Sequence, residues 1–447
     1  MTQSRGALRS RSELEAIVAR VLDEARSQGA SAAEAAVSTD SGLSVTVRLG
    51  EVETLEYHKD QGVGITVYFG QRKGSASTSD LSNASLREAV AAASRIARHT
   101  AEDPFAGLAD AALMATHYPD LDLDHPWDVS AEEAIEIARA CEDAARGQDE
   151  RITNSEGGTV NTFRGTSVYG NTHGFVGGYS ATRHSLSCSV IGEQNGAMQR
   201  DYWYSVARDR AGLESPEDVG REAALRTIHR LGSKRLSTRQ SPVVFAADVA
   251  RSLLGHFVGA VRGGALYRKA SFLLDHLDKP VFPEFVHIHE QPHLKGALGS
   301  APFDNEGVAT RGRDLVTDGV LKSYVLDSYS ARRLGMQSTG NAGGTRNLTI
   351  DPGQLDFPGL LREMGTGLLV TELIGHGVNN VTGDYSRGAA GFWVENGEIA
   401  YPVEEITVAG NLKDMFMGIR EVGTDVDRRG NIRTGSILIE RMTIAGE

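Results

Sequence analysis

The stretch AEAAVSTDSGLSVTVRLGEVETLEYHKDQGVGITVYF, residues 33–69, decides the fold class. Its apolar residues recur in short runs, Leu43-Val45-Val47, Val52-Leu55-Tyr57 and Val63-Ile65-Val67. A repeat of two places side chains on one face of a strand. Ser41-Gly42, Gly50 and Gln61-Gly62 separate the runs, and turn residues at that interval predict a meander of short strands. Upstream, Ser12-Glu13-Leu14-Glu15 reads as a capping box, and Leu14, Ile17, Val18, Val21 and Leu22 recur at helical spacing until Gln28-Gly29. Downstream, the pattern predicts a helix over 82–99, then an acidic, proline-bearing connection over 101–127. Residues 1–128 therefore read as an N-terminal α/β unit.

The same order recurs over 129–232. Ser130-Ala131-Glu132-Glu133 caps a helix running to about Gly147. A second meander fills 151–206, punctuated by Gly157-Gly158, Gly165, Gly170-Asn171, Gly177-Gly178 and Asn195-Gly196. Ser215-Pro216-Glu217-Asp218 supplies an N-cap, a first-turn proline and first-turn acids for a helix ending near Leu231-Gly232. The two halves resemble a loose duplication, without a residue-level repeat. Residues 232–240 read as a linker. The region 240–447 opens with Pro242-Val243-Val244-Phe245 and one clear helix over 247–261, striped by Val249, Leu253, Leu254, Phe257, Val258 and Val261. Later runs such as Leu368-Val370, Phe392-Val394, Ile406-Val408 and Ile437-Ile439 are strand-like. The expected fold class is α+β, with N-terminal sheet-plus-helix units followed by a C-terminal curled or barrel-like, mostly antiparallel β domain.

Composition narrows the function classes. A chain of 447 residues with net charge -13 repels phosphate backbones and anionic membranes, and its nearest basic group, Lys234-Arg235 with Arg239, is small. Neither nucleic acid nor a membrane is expected as partner. Two cysteines, Cys141 and Cys188, cannot build a disulfide framework, which suits a reducing cytoplasm. Met1 to Ser12 is polar, with no visible signal peptide, and no apolar run reaches the ~20 residues a membrane span needs.

Candidate chemistry is sparse. His287 and His289, two apart on a predicted strand, share a face and form the best metal candidate by spacing, with Glu290 and His293 behind them; solvated or hydrogen-bonded histidines are the alternative. Thr371 to His376 resembles a zinc motif stripped of a histidine, or simply a strand end and a turn. In Gly383-Asp384-Tyr385-Ser386-Arg387-Gly388, Asp384 and Arg387 in a glycine-bounded loop suit a peptide backbone or terminus, or else an internal salt bridge. There is no nucleophile elbow, phosphate loop or dinucleotide fingerprint.

The run from Leu368 to Phe416, containing TELIGHGVNNVTGDYSRGAAGFWVENGEIAYPVEEITVAGNLKDMF, resembles the C-terminal signature of the TldE/PmbA branch of the TldD/PmbA family, also known as modulators of DNA gyrase. Gly62 to Ile65, Gly70 to Ser79 and Gly263 to Lys269 extend the resemblance over essentially the whole chain. It implies a cytoplasmic, metallopeptidase-related protein that pairs with a TldD-type subunit and acts on peptides or unfolded polypeptide. Catalytic members carry HExxxH on the helix opening the last domain, and a late cysteine. Here the matching segment is Gly255-His256-Phe257-Val258-Gly259-Ala260, and no cysteine follows Cys188. Gly255 and Ala260 offer no ligand atom, and His256 replaces the glutamate that would activate water. The resemblance thus implies a non-catalytic subunit with no zinc of its own, the zinc residing in the TldD partner. Peptide contact is expected at Asn379, Asn380, Asp384 and Arg387, and without its partner the chain is left as a monomer or a homodimer, between which the sequence does not decide. The alternatives are an autonomous metallopeptidase using His287, His289 and His293, and a regulatory peptide-binding protein.

Overall fold

The computed structural model describes residues 8–446. The leader reading at Met1 to Ala7 lies outside them. The first part of the chain forms α1 (Arg11–Ser27), β1 (Ala32–Arg48), β2 (Glu51–Phe69), β3 (Arg72–Thr78), α2 (Asn83–His99), α3 (Ala131–Arg146), β4 (Ile152–Asn171), β5 (Val176–Gln194), β6 (Ala197–Ala207) and α4 (Pro216–His229). Its strands make one antiparallel sheet in the order β3-β2-β1-β4-β5-β6. The two sequence halves meet edge to edge, because β1 pairs with β4 from Glu34↔Asn171 to Val47↔Gly158.

The expected short strands are long ones. Ser41-Gly42 and Gln61-Gly62 lie inside β1 and β2, paired with Lys59-His58 and Thr39-Ser38, and the chain turns only at Leu49-Gly50. Gly165, Gly177 and Gly178 likewise sit within β4 and β5. Some strand glycines serve helix packing instead of turning. A Cβ on Gly158 would stand 2.2 Å from the Ala138 carbonyl of α3, and one on Gly74 would stand 2.1 Å from the Ala93 carbonyl of α2.

All four helices lie on one face of this sheet. Ala33, Ala35 and Val37 of β1 pack with α1 and α2, while Leu43, Val45 and Val47, of the same parity, pack with α3 and α4. Helix α1 begins two residues earlier than expected, with Ser10 as N-cap and Glu13 closing the capping box. Ser82, Ser130 and Ser215 cap α2, α3 and α4, in line with the sequence reading. Buried Glu142 of α3 accepts the Leu49 and Gly50 amides at 2.7 and 2.9 Å, pinning the β1–β2 turn.

The rest of the chain forms β7 (Arg239–Phe245), α5 (Ala247–Val261), α6 (Gly263–Tyr267), β8 (Ile288–Glu290), β9 (Arg313–Thr317), β10 (Val320–Leu321), α7 (Ser328–Arg333), β11 (Leu348–Ile350), α8 (Phe357–Met364), β12 (Gly367–Ile374), β13 (Asp384–Glu395), β14 (Glu398–Asn411), α9 (Leu412–Met417), β15 (Ile419–Val422), β16 (Ile432–Arg433) and β17 (Ile437–Ala445). Strands β14-β13-β12-β7-β17 close on themselves through the β14–β17 pairing, giving a five-stranded barrel with β15 added to β17. The expected curled β domain is present. The alternation of β7 explains its packing: Val243 and Phe245 face the main core with α5, and Val244 faces outward against Leu360, Leu361 and Met364 of α8. A second sheet, β10-β9-β8-β11-β16, joins the same core.

The two parts are in contact. Phe303 packs edge-on against Tyr118, Phe175 and Tyr179 at 5.4, 5.3 and 5.7 Å between ring centroids. The Arg429 guanidinium lies 3.9 Å from the Trp203 ring centroid.

Candidate functional site

Helix α5 has the predicted bounds; of its predicted stripe Leu253, Leu254, Phe257 and Val261 are buried, together with Ala250 and Ala260, while Val249 and Val258 are only partly buried. Phe257 sits edge-on to Phe282, 5.2 Å away between centroids. The three motif positions face different surroundings. Ala260 is completely buried in the core, whereas a Cβ on exposed Gly255 would meet nothing within 4 Å. His256 is half-buried, edge-on to the Tyr385 ring at 5.9 Å and 77°.

The stretch carrying the candidate peptide residues packs against this helix. Gly259 brings the backbone close enough that a Cβ there would stand 3.6 Å from Asn380 Nδ2, and the Asn380 carbonyl accepts the Phe272 amide at 2.9 Å. Asn379 shapes the turn by accepting the Val381 and Thr382 amides at 2.9 and 3.4 Å. The glycine-bounded loop is shorter than expected, because Asp384 already begins β13 and Gly388 lies within it. Strand alternation then sends Asp384 and Arg387 to opposite faces. The internal salt bridge weighed from sequence is not formed among the described residues. Asp384 accepts instead from Thr382 Oγ1 at 2.6 Å and Asn411 Nδ2 at 3.3 Å.

Arg387 shares its face with Tyr385 and points toward α5. His256 Nε2, the Tyr385 hydroxyl and Arg387 Nε are all buried without a hydrogen-bond partner. Burial lowers the pKa of His256, and the Arg387 charge lowers it further, so the imidazole is held neutral. Burial pushes the Tyr385 phenol up to about 12, against the opposing pull of Arg387. The constellation is rich in donors and has no carboxylate among these three side chains. It can grip carbonyl or carboxylate oxygens, and it lacks the carboxylate that serves a metallopeptidase as base.

These positions do not fit a zinc ion. Gly255 and Ala260 carry no ligand atom, and His256 supplies one imidazole where a catalytic zinc takes about three protein ligands. The two cysteines are elsewhere, buried together in the core beneath α3, where the contact with Cys188 and burial keep the Cys141 thiol protonated.

The second metal candidate is divided by the structure. His287 and His289 stand together, 5.4 Å between ring centroids, but His293 turns away and bonds Thr310 Oγ1 at 3.1 Å. Asp351, just past β11, takes its place, and His287, His289 and Asp351 present ligand atoms within 4.8 Å of one another. Glu290 faces inward, where it accepts Arg313 Nε at 3.1 Å and Asn341 Nδ2 at 2.9 Å. Sequence reasoning missed Asp351 because only the long-range β8–β11 pairing brings it near His287. It quoted Tyr385 without selecting it; the signal was its two-residue spacing from Arg387.

The chain matches descriptions of the PmbA/TldA metallopeptidase domain 1 over residues 33–97, central domain over 124–231 and C-terminal domain over 238–446. It is 55% identical over 415 residues to the metalloprotease PmbA of Escherichia coli O157:H7, covering 93% of this chain and 92% of that one. The metalloprotease PmbA homolog of Haemophilus influenzae is 51% identical over 435 residues, covering 97% and 96%. In fold, a crystal structure from Bacteroides thetaiotaomicron superposes with TM-score 0.93 at 29% identity, over 97% of this chain and 99% of that one. TldE from Thermococcus kodakarensis superposes with TM-score 0.83 at 20% identity, over 96% and 100%. With matches across all three domain descriptions and more than half its residues shared with a PmbA protein, this chain belongs to the PmbA/TldD metallopeptidase family.

Proposed function

We propose that this chain is the non-catalytic subunit of a cytoplasmic TldD/TldE-type zinc metallopeptidase complex, acting in peptide processing and proteolysis. One observation supports this above the others: the α5 positions matching the catalytic motif are Gly255, His256 and Ala260, with the single imidazole neutral and turned against Tyr385. A TldD-type subunit would supply the zinc, its ligands and the glutamate base. This chain would hold an extended peptide or unfolded polypeptide at Asn379, Asn380, Asp384 and Arg387, which line the turn and strand beside α5. Asn379, Asn380 and Asp384 are exposed, so a peptide backbone can reach their side chains.

The purified chain, with and without added zinc, should cleave no peptide, and mixing with a TldD-type subunit should produce cleavage that neither protein gives alone. Cleavage by the isolated chain would overturn the subunit reading. The His287, His289 and Asp351 group favours a second reading, an autonomous metallopeptidase with its metal there. Loss of such isolated activity in His289→Ala would establish that alternative.

A further inference from the structure

We infer that His287, His289 and Asp351 form a binding site for one first-row divalent transition ion, a site separate from the lost α5 motif and independent of the subunit reading. The three ligand atoms come from two paired strands and the residues at their ends. His287 immediately precedes β8 and His289 lies within it, and Asp351 follows β11, whose Ile350 is in register with Ile288. The Asp351 amide donates to the His287 carbonyl at 3.0 Å, so the backbones that carry the ligands are already joined. An ion here would not have to order a loop.

The hydrogen bonding around the rings suits ligation. His287 Nε2 is 3.1 Å from Asp314 Oδ1, an arrangement that orients the ring and leaves Nδ1 as its remaining donor atom. A carboxylate behind a ligating imidazole fixes its tautomer and raises its basicity. His289 Nδ1 is buried without a hydrogen-bond partner, 3.4 Å from Asp351 Oδ1. A buried ring nitrogen left unbonded beside a carboxylate is costly, and a cation between the two satisfies both.

Geometry sets what must move. Ligand atoms around a tetrahedral ion at about 2.0–2.1 Å stand roughly 3.4 Å apart. The present spread of up to 4.8 Å therefore has to contract. Asp351 is 51% exposed and can swing inward by side-chain rotation, while the two imidazoles stay on their strand. Two nitrogens and one carboxylate favour zinc, nickel or cobalt over calcium and magnesium, which prefer all-oxygen shells. The remaining positions would be filled by water.

The test uses the full chain stripped of metal. Titration with Zn2+ should show one ion bound per chain, and the same addition should raise the melting temperature. His289→Ala and Asp351→Asn should each weaken binding by roughly tenfold or more and abolish the thermal shift, and Asp314→Asn should weaken it by about tenfold through the His287 ring. His376→Ala, which removes an exposed imidazole outside the group, should bind as the parent does. No uptake by the parent, or uptake equal in the parent, His289→Ala and Asp351→Asn proteins, would overturn the inference. Because Asp351 is exposed, Asp351→Asn is expected to remain folded, which a parent-like circular dichroism spectrum would verify. Peptide cleavage is not part of the readout, so failure here leaves the subunit reading standing.

Discussion

Helix α5 and strand β8 both carry histidines that invite a metal reading, and the structure treats them in opposite ways. On α5, the lone His256 is turned against Tyr385 and kept neutral by its surroundings. At the start of β8, His287 and His289 face outward toward Asp351 and Asp314, while Ile288 and Glu290 between and beside them face the interior. The difference shows that a ligand-type residue means little until its neighbours are known. On α5, Gly255 and Ala260 leave His256 without a second or third ligand, whereas a paired strand borrows one from the next strand.

The inward face of β8 should be the more costly to disturb. Glu290 is 3% exposed and holds Arg313 and Asn341, and it also accepts the Arg346 amide. Glu290→Ala leaves the Arg313 charge buried and unpaired, so a loss of about 3–5 kcal/mol is expected in chemical denaturation. A loss comparable to that of His287→Ala on the outward face would mean that the two faces are not distinct in the way described.

Rebuilding the motif on α5 probes the other side of the comparison. Ala260→His forces an imidazole into a fully buried position and should cost about 1–3 kcal/mol through overpacking. Gly255→Ala should act in reverse, stabilising by up to about 1 kcal/mol, since the site is open and alanine favours the helix. Thermal melts of the two variants moving in the same direction would contradict these placements.

Acid should expose the same contrast. His256, His184 and His293 have pKa values lowered below 6.5, in each case chiefly by burial. The unfolded chain then binds more protons than the folded one between the folded value and about 6.5. Their contribution to stability is present above that range and is lost as pH falls through it. Denaturation midpoints should decline below about pH 6.5, and His256→Gln should flatten part of that decline. An unchanged slope in His256→Gln would show that the ring is not held neutral by its surroundings.

Legibility in the sequence followed the range of the interaction. Helices α2, α3, α4 and α5 were readable because caps and apolar stripes are local, and even α1 was displaced only at its start. Strand lengths were not, because a glycine such as Gly158 looks like a turn in sequence and is needed in space to admit the Ala138 carbonyl of α3. The joining of both halves into one sheet rests on the β1–β4 pairing, which no short window contains. The same limit concealed Asp351 from His287, and it made Asp384 and Arg387 look like partners when strand alternation separates them.

That separation sharpens the last prediction. Had Arg387 been paired with Asp384 in the interior, its removal would leave a buried charge and cost about 3–5 kcal/mol. No ion pair to Arg387 is formed among the described residues, and its Nε lacks a hydrogen-bond partner. A part-buried guanidinium whose neighbour is the Tyr385 hydroxyl and not a carboxylate contributes little to stability and leaves a cation to bind something else. Arg387→Ala should therefore change the melting temperature little, and Tyr385, freed of the adjacent charge, should titrate higher still. If the residue serves peptide, cleavage by the complex with a TldD-type subunit should fall, with assembly and the partner's zinc content unchanged. Arg387→Lys should restore cleavage only in part, because an ammonium keeps the charge without the two-pronged donor geometry that suits a carboxylate. A large drop in melting temperature with cleavage intact in the folded fraction would return Arg387 to a purely structural role, and the contrast between α5 and β8 would then rest on the metal titration alone.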